Sequence, residues 1–333
     1  MKFLVIGLGS MGKRRVRCLQ ALGYKDIIGF DLREDRRNEA IEKYSILTTN
    51  SLNSLSLSEF DAFIISTPPD RHTQYAKLAI DNNKPAFIEA SVILEHVQEM
   101  KLYNKNNTYL APSCTLRFHP MIKDITSIIK SGKYGKVTNF SYHSGQYLPD
   151  WHPWENVNDF YVSKRETGGG REIVPFELTW IVDTIGWPIE VKGFFEKTID
   201  FGSNIEDSYA ILLKYENMIG SVVVDVASRY ATRSLIINME LGQIQWRWDE
   251  ACFQLYEVES NRWIKFNQPE VATAIGYNKN IGEGMYIEEI QNFISGINSK
   301  VKFPNTIDDD IRVLEILKTV EISDGGFNSK IIK

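Results

Sequence analysis

The chain has 333 residues, 43% of them apolar and 24% charged, with a net charge of −5. That length passes the ~250 residues at which single cores stop growing, so two domains are expected, and the acidic balance argues against a nucleic-acid binder. Cys18, Cys114 and Cys252 lie too far apart for a metal or disulfide pattern and no apolar run nears the ~18 residues of a membrane span, so a soluble cytoplasmic protein with no metal and no membrane partner is expected.

From Lys2 to Ala111 short apolar runs alternate with amphipathic stretches. Lys2–Gly7 (KFLVIG) predicts a buried strand and Ser10–Leu22 a helix; Ile27–Asp31 and Glu34–Tyr44 repeat the pair. Ala62–Ser66 is a third strand, stopped by Thr67-Pro68-Pro69 and followed by a helix over Arg71–Asn82. Ala86–Ile88, a helix over Leu94–Asn106 and a last strand at Tyr109–Ala111 complete a pattern that predicts a parallel sheet covered on both faces. Past a helix over His119–Lys130 and the turn Gly132–Gly135, the apolar period shortens to two. Val137–Tyr147, Val191–Ile199, Ser208–Tyr215, Ser221–Ala227, Ser234–Leu241 and Gln243–Trp248 predict a large, mostly antiparallel sheet. Helices over Gly284–Ile297 and Asp308–Ile322 close the chain.

The first strand runs into VIGLGSMGKRR, where Gly7, Gly9 and Gly12 form G-x-G-x-x-G at the entry to a helix. Gly7 permits the tight turn, Gly9 lets backbone approach a pyrophosphate, and Gly12 lets helix and strand pack closely. The free N–H groups of Ser10, Met11 and Gly12 then bind phosphate oxygens, aided by the helix dipole. Asp31, at the end of the second strand, is placed to accept both adenine-ribose hydroxyls, which favours NAD over NADP. Arg33, two residues on, offers a 2′-phosphate a partial counter-charge. The fold class is therefore α/β: a Rossmann dinucleotide-binding domain over residues 1–118, then an α+β domain over residues 119–333 whose last helix can pack back on the first. Cofactor contacts are expected from Gly7, Leu8, Gly9, Ser10, Met11 and Gly12, from Asp31, Leu32 and Arg33, from Ser66, Thr67, Pro68 and His72 at the third strand end, and from Glu89 and Ala90 at the fourth.

Together VIGLGSMGKRR, STPPDRHTQYA, LRFHP, GKYGKV, TGGG and the terminal DDDIRVLEILKTVEISDGG resemble the glucose–fructose oxidoreductase/inositol dehydrogenase (Gfo/Idh/MocA) superfamily over nearly the whole chain. GQYLPDWHPWENVNDFYVSKRETGGG is similar to a branch associated with unusual bacterial surface sugars. The resemblance implies NAD(P), a sugar or nucleotide-sugar substrate, and a homodimer or homotetramer built on an open-faced sheet. It also implies a Glu-Lys-Pro motif after the strand at Ala86–Ile88, where this chain has Glu89-Ala90-Ser91. Glu89 is then expected to face the nicotinamide side, with Ala90 leaving space where an ammonium would sit. The family's paired acid and histidine after the glycine run are missing too: GGGREIVPFELTWIVD puts Phe176 or Leu178 at the histidine position.

Hydride transfer at an alcohol carbon needs a partner for the hydroxyl proton, and a positioned acid or base contributes about 10²–10⁴-fold. Candidate replacements are Glu172, in the loop entering a helix whose first turn holds Pro175, and Glu177 inside that helix; the alternative for both is a solvated acid or a partner of Arg171. Lys164 stands in for the lost lysine or is a surface lysine. Tyr161, Arg165, Trp151 and Trp154 suit substrate binding by hydroxyl, guanidinium fork and ring stacking, and His152 suits proton exchange near neutral pH, against packing of the same loop. The expected function is an NAD-dependent oxidoreductase acting on a sugar. A redox-neutral epimerase or lyase that retains NAD, and a non-catalytic NAD-binding regulator, are the alternatives.

Overall fold

The computed structural model describes residues 1–151, 156–269, 282–299, 302–323 and 330–331. The chain divides into two compact units, Met1–Thr115 with Glu283–Ile311, and Leu116–Gly282 with Arg312–Lys333.

The first unit begins with β1 (Phe3–Ile6), α1 (Ser10–Ala21), β2 (Ile27–Phe30), α2 (Glu34–Tyr44), β3 (Leu47–Thr49), β4 (Ala62–Ile65), α3 (His72–Asp81), β5 (Ala86–Ile88), α4 (Leu94–Tyr103) and β6 (Leu110–Pro112). The sheet order is β3-β2-β1-β4-β5-β6, and every pairing is parallel. All residues of β1, β4 and β5 are fully buried, as strands covered on both faces must be. Strand order reverses between β1 and β4, and in such sheets the crevice beyond the carboxyl ends at the reversal takes the ligand. β3 is a strand the apolar pattern does not announce: it is a three-residue edge strand whose Leu47 is exposed.

The second unit contains α5 (Pro120–Lys130), β7 (Val137–Tyr147), α6 (Gly170–Ile185), β8 (Glu190–Glu196), β9 (Ser208–Lys214), β10 (Ile219–Asp225), β11 (Ala227–Met239), β12 (Gly242–Arg247), β13 (Cys252–Glu257) and β14 (Arg262–Asn267); α7 (Glu283–Ser299), α8 (Ile307–Ser323) and β15 (Lys330–Ile331) follow in the chain. The sheet order is β14-β13-β12-β11-β7-β10-β9-β8-β15. Its pairings are antiparallel except β7 with β10. Alternation along β9 is clean: Tyr209, Ile211 and Leu213 are buried while Ala210, Leu212 and Lys214 are exposed. On the covered face the Trp180 ring of α6 meets Tyr142 of β7 edge-on at 5.0 Å. β13 and β14 extend the sheet beyond the runs read from sequence, because β14 (RWIKFN) is mostly exposed on both faces and carries no alternation. Among the described residues no helix is long and apolar enough to cross a membrane.

One buried ionic cluster fixes the first unit. Arg15 of α1 is fully buried and grips Glu89, just past β5, with two parallel bonds (Nε to Oε1 2.6 Å, Nη2 to Oε2 2.9 Å). Its Nη1 lies 2.8 Å from Oε2 of Glu289 in α7, and its guanidinium covers the Phe87 ring at 4.5 Å. Glu289 also accepts from Ser113 Oγ, Cys114 N and Thr115 Oγ1 at the end of β6. Burial pushes the Glu289 carboxyl above its ordinary range, with Arg15 opposing the shift. Arg15→Met would strand two buried carboxylates, and breaking such a cluster typically costs about 3–5 kcal/mol. A loss of that size in urea denaturation is expected; a variant as stable as wild type would show that the cluster does not hold the unit.

Candidate functional site

Nucleotide-binding geometry is set at the carboxyl edge of β1. Gly7 has φ +92°, and a Cβ there would lie 2.5 Å from the Ser66 carbonyl oxygen. At Gly12 a Cβ would fall 1.8 Å from the Gly7 oxygen, so α1 can pack on the strand only through glycine. Gly9 is the N-cap of α1 and has no side-chain cap. The first-turn N–H groups have no acceptor within the helix, and such a terminus attracts an anion.

Asp31 lies just past β2. Its Oδ2 accepts from Leu8 N (2.7 Å) and its Oδ1 from Arg33 N (2.9 Å), which ties the ribose acid to the glycine turn. The Leu8 side chain is fully buried against Gly29 and its N–H is taken by Asp31, so neither is open to a ligand. Beside Asp31 opens a cavity of about 310 Å³, lined among others by Gly7, Asp31, Arg36, Thr67, Arg71 and Tyr75. The Arg33 side chain is taken by Asp35 instead, at 2.6 and 3.1 Å; Arg36, one turn into α2, flanks Asp31 at 3.8 Å. Leu32 is 74% exposed, while Ser66, Thr67 and Pro68 follow β4 at the same sheet edge.

That edge holds unfilled polar atoms. His72 Nε2 donates to the Thr67 carbonyl (2.9 Å), which leaves Nδ1 as a bare acceptor, and burial lowers the ring's pKa and keeps it neutral. His72 Nδ1, Thr67 Oγ1 and Ser91 Oγ are all enclosed without a partner among the described residues. Enclosed polar atoms of this kind call for a ligand or water. The glycine turn, the open helix terminus, the cavity beside Asp31 and these atoms fit a dinucleotide. Glu89 departs from expectation: both of its oxygens are engaged by Arg15, with Ser66 Oγ at 3.3 Å, so its carboxylate is turned into the unit's core and only Ala90 is partly exposed.

In the second unit the glycine run is a tight entry to α6. Gly169 has φ +64°, and Gly170 N donates to the Glu206 carbonyl (2.8 Å), so the helix starts at Gly170. Glu172 is thus in the first turn, not in the preceding loop, and Pro175 lies inside the helix. Tyr161, in a short 3₁₀ turn, donates to Glu172 Oε1 at 2.6 Å. Glu172 Oε2 is enclosed and has no partner among the described residues; burial raises this carboxyl to about 7, with the Tyr161 bond opposing.

Glu177 has a different setting. It is fully buried and accepts from Tyr142 (2.7 Å), Ser144 (2.9 Å), Trp180 Nε1 (3.2 Å) and Arg233 (2.8 and 2.9 Å). With donors on both oxygens it presents no open atom to a substrate, which corrects the catalytic reading of this residue. Arg233 in turn covers the Trp248 ring at 4.3 Å; His119 stacks on Trp248 at 5.4 Å and is pushed down to about 3 by burial and Arg233. Lys164 and Arg165 are exposed, and Arg165 pairs with Glu206 at 2.5 Å. Trp151 is partly buried, and its Nε1 is enclosed with no partner among the described residues. His152 and Trp154 lie outside the described residues.

Sequence reading missed Arg36, Arg71 and Arg233. For Arg36 there was a signal, a basic side chain one turn beyond the ribose acid. Arg233 had none, since an arginine facing inward breaks the alternation of its strand.

Residues 1–107 match the model of an oxidoreductase family with an NAD-binding Rossmann fold, and residues 122–245 match the Gfo/Idh/MocA C-terminal domain. The chain belongs to the Gfo/Idh/MocA oxidoreductases. No curated protein matches it in sequence. Among solved Gfo/Idh/MocA-like folds, an oxidoreductase from Agrobacterium radiobacter crystallised with NAD+, L-tartaric acid and magnesium shares 14% identity over 99% of this chain and 98% of that one, with TM-score 0.86. Levoglucosan dehydrogenase in complex with NADH and levoglucosan shares 14% over 100% and 99%, TM-score 0.84. GenD2 from gentamicin A biosynthesis, in complex with NAD, shares 15% over 100% and 96%, TM-score 0.81. At these identities the likeness is one of fold.

The two glutamates of α6 give opposite expectations for stability. Glu177→Gln removes the buried negative charge that faces Arg233, and a loss of about 3 kcal/mol is expected. For Glu172 the folded carboxyl ionises near 7 against 4.5 in the unfolded chain. Folding then favours its protonated form, so wild type loses stability as pH rises from 4.5 to 7, by about 3 kcal/mol in all, and no more above that. Glu172→Gln removes this loss. Denaturation of both proteins across that range should show the variant gaining on wild type and then running parallel; parallel curves throughout would refute the buried carboxyl.

Proposed function

We propose that this Gfo/Idh/MocA protein is an NAD(H)-dependent oxidoreductase that acts on a hydroxyl or keto group of a sugar or nucleotide-sugar, with Glu172 as its proton-transfer residue. The Tyr161–Glu172 pair carries the reading. One carboxylate oxygen is fixed by a 2.6 Å bond and the other is enclosed and unfilled, in a group that titrates near 7. A general acid or base is most effective when its pKa lies near the working pH.

NAD, when bound, accepts or gives the hydride. The protein must then handle the hydroxyl proton. Glu172, ionised above about 7, takes that proton on Oε2 during oxidation; protonated, it returns it during reduction. Tyr161 holds Oε1 and thereby presents Oε2 as the basic atom. This gives α6 a proton-transfer group in a chain that has Ala90 where the resemblance implies a lysine. Trp151, with its enclosed Nε1, supports stacking of a sugar ring and a hydrogen bond to one of its oxygens, and Arg165 and Lys164 extend the polar surface of the same segment. The similarity to levoglucosan dehydrogenase, crystallised with levoglucosan, favours this substrate class.

A panel of sugars and nucleotide-sugars read by NADH absorbance tests the activity. Glu172→Gln should lower kcat by about 10²–10⁴-fold while NAD+ still binds. The rising limb of the oxidation rate near pH 7 should vanish in the same variant. Wild-type rates in Glu172→Gln would sink the assignment.

Assembly on the nine-stranded sheet belongs to the same proposal. Phe194, Leu212 and Ile219 share its uncovered face and are 70%, 61% and 65% exposed, an apolar patch that a second copy would cover. Light scattering should give a dimer or tetramer for wild type and a monomer for Leu212→Glu; a monomeric wild type would end this reading.

A further inference from the structure

The sheet of the second unit breaks its ladder close to the entry of α6. Ala227 of β11 pairs with Tyr147 and Thr232 with Gly145, so residues 228–231 bulge out opposite Gln146 alone. Bulges re-aim side chains and are frequent beside functional sites. A carboxylate holds this one in place. Asp225, the last residue of β10, accepts from Ala227 N (3.0 Å), Ser228 N (2.7 Å) and Ser228 Oγ (3.0 Å), and His143 Nε2 lies 2.7 Å from its Oδ2. Gly145 leaves the room, since a Cβ there would fall 2.4 Å from Ser228 Oγ.

What the bulge presents is Arg229. Its guanidinium lies over the Tyr147 ring at 4.0 Å, and among the described residues no carboxylate pairs with it. Arg165, the guanidinium that the sequence offers for substrate binding, is taken by Glu206. A guanidinium stacked on a ring keeps its edge donors open, and its planar fork suits two oxygens of one anion. Backbone bonds tie this place to the α6 entry. Gly170 N donates to Glu206 O and Val226 N to Asp207 O (both 2.8 Å), and Leu148 N donates to Val226 O (3.0 Å). β9, β10 and β7 are neighbours, so Tyr147 lies two strand spacings, about 10 Å, from the strand that meets the start of α6. The Tyr147 ring also meets Phe201 at 5.9 Å, and the Phe201 carbonyl accepts from Asn158 (3.5 Å), in the segment that carries Tyr161.

We propose that Arg229 anchors an anionic group of the substrate, a carboxylate or a phosphate, so that the protein takes acidic or phosphate-bearing sugars in preference to neutral ones. The inference rests on the sugar reading above and narrows its substrate class. Tyr147 holds the guanidinium and the Asp225–His143 pair holds the bulge, while Glu172 is left to the reacting hydroxyl at the other end of the ligand.

Calorimetry on protein saturated with NADH, which can oxidise no hydroxyl, reads binding apart from turnover. The ligands are a hexose, its hexuronate and its 1-phosphate, each in the gluco, galacto and manno series. In at least one series the uronate or the phosphate should bind about tenfold or more tighter than the hexose, and which of them does so identifies the anion. Arg229→Gln should remove that advantage relative to any change for the hexose. Arg229→Lys, which keeps the charge without the fork, should retain part of it. Melting temperatures of the apo variants separate these effects from loss of fold. No advantage for an anion in any series, or an advantage that survives Arg229→Gln, would overturn the inference. Anion binding that depends on Arg229 without oxidation by NAD+ would support it and remove the oxidoreductase reading. Oxidation of neutral hexoses with kcat/KM unchanged in Arg229→Gln would do the reverse.

Discussion

The first unit turns on a single guanidinium with no access to water. Arg15 is donated by the helix that opens the phosphate turn, and it holds a carboxylate just past β5 and another from α7. A buried cation cannot be left half-paired without large cost, so α1, the β5 end and α7 are locked at mutually fixed positions. The phosphate turn inherits that rigidity, because Gly7 and Gly12 touch so closely that α1 cannot shift against β1 without opening the turn. Glu89 illustrates the point: at a sheet edge where chemistry is expected, it is spent on architecture.

Carboxylates five residues apart on α6 show how environment divides roles. Glu177 faces the sheet and meets two hydroxyls, an indole and an arginine, which together replace its hydration. Glu172 is also removed from water but receives a single hydroxyl, so its charged form is the costly one. Residue type is the same in both, but one lies in the first turn and the other in the helix interior. The number of donors aimed at each carboxylate decides how far its lost hydration is replaced.

Much of this was legible in the sequence. Unbroken apolar runs at Phe3–Ile6 and Ala62–Ile65 marked strands buried on both faces, and alternation along Ser208–Lys214 marked a sheet with one uncovered side. G-x-G-x-x-G is readable because steric necessity leaves glycine alone at Gly7 and Gly12. What escaped was decided by partners far apart in the chain. Nothing near Glu89 announces Arg15, and nothing near Glu177 announces Arg233. Short edge strands such as Leu47–Thr49 are fixed by neighbours rather than by their own pattern. Pro175 led to a helix start placed too late, because the chain reversal at Gly169 outweighs the preference of proline for a first turn.

The Arg15 cluster also bears on how the protein is made. Its last member, Glu289, leaves the ribosome only when most of the chain has been synthesised, so until then the nucleotide-binding unit lacks one counter-ion of its buried cation and the acceptor that Ser113, Cys114 and Thr115 share. Domains commonly fold as they emerge, N-terminal first. Here the order is interleaved: the amino-terminal unit gains its closing contact only after residues 116–282 of the second unit have been translated, and the second unit in turn waits for residues 312–333.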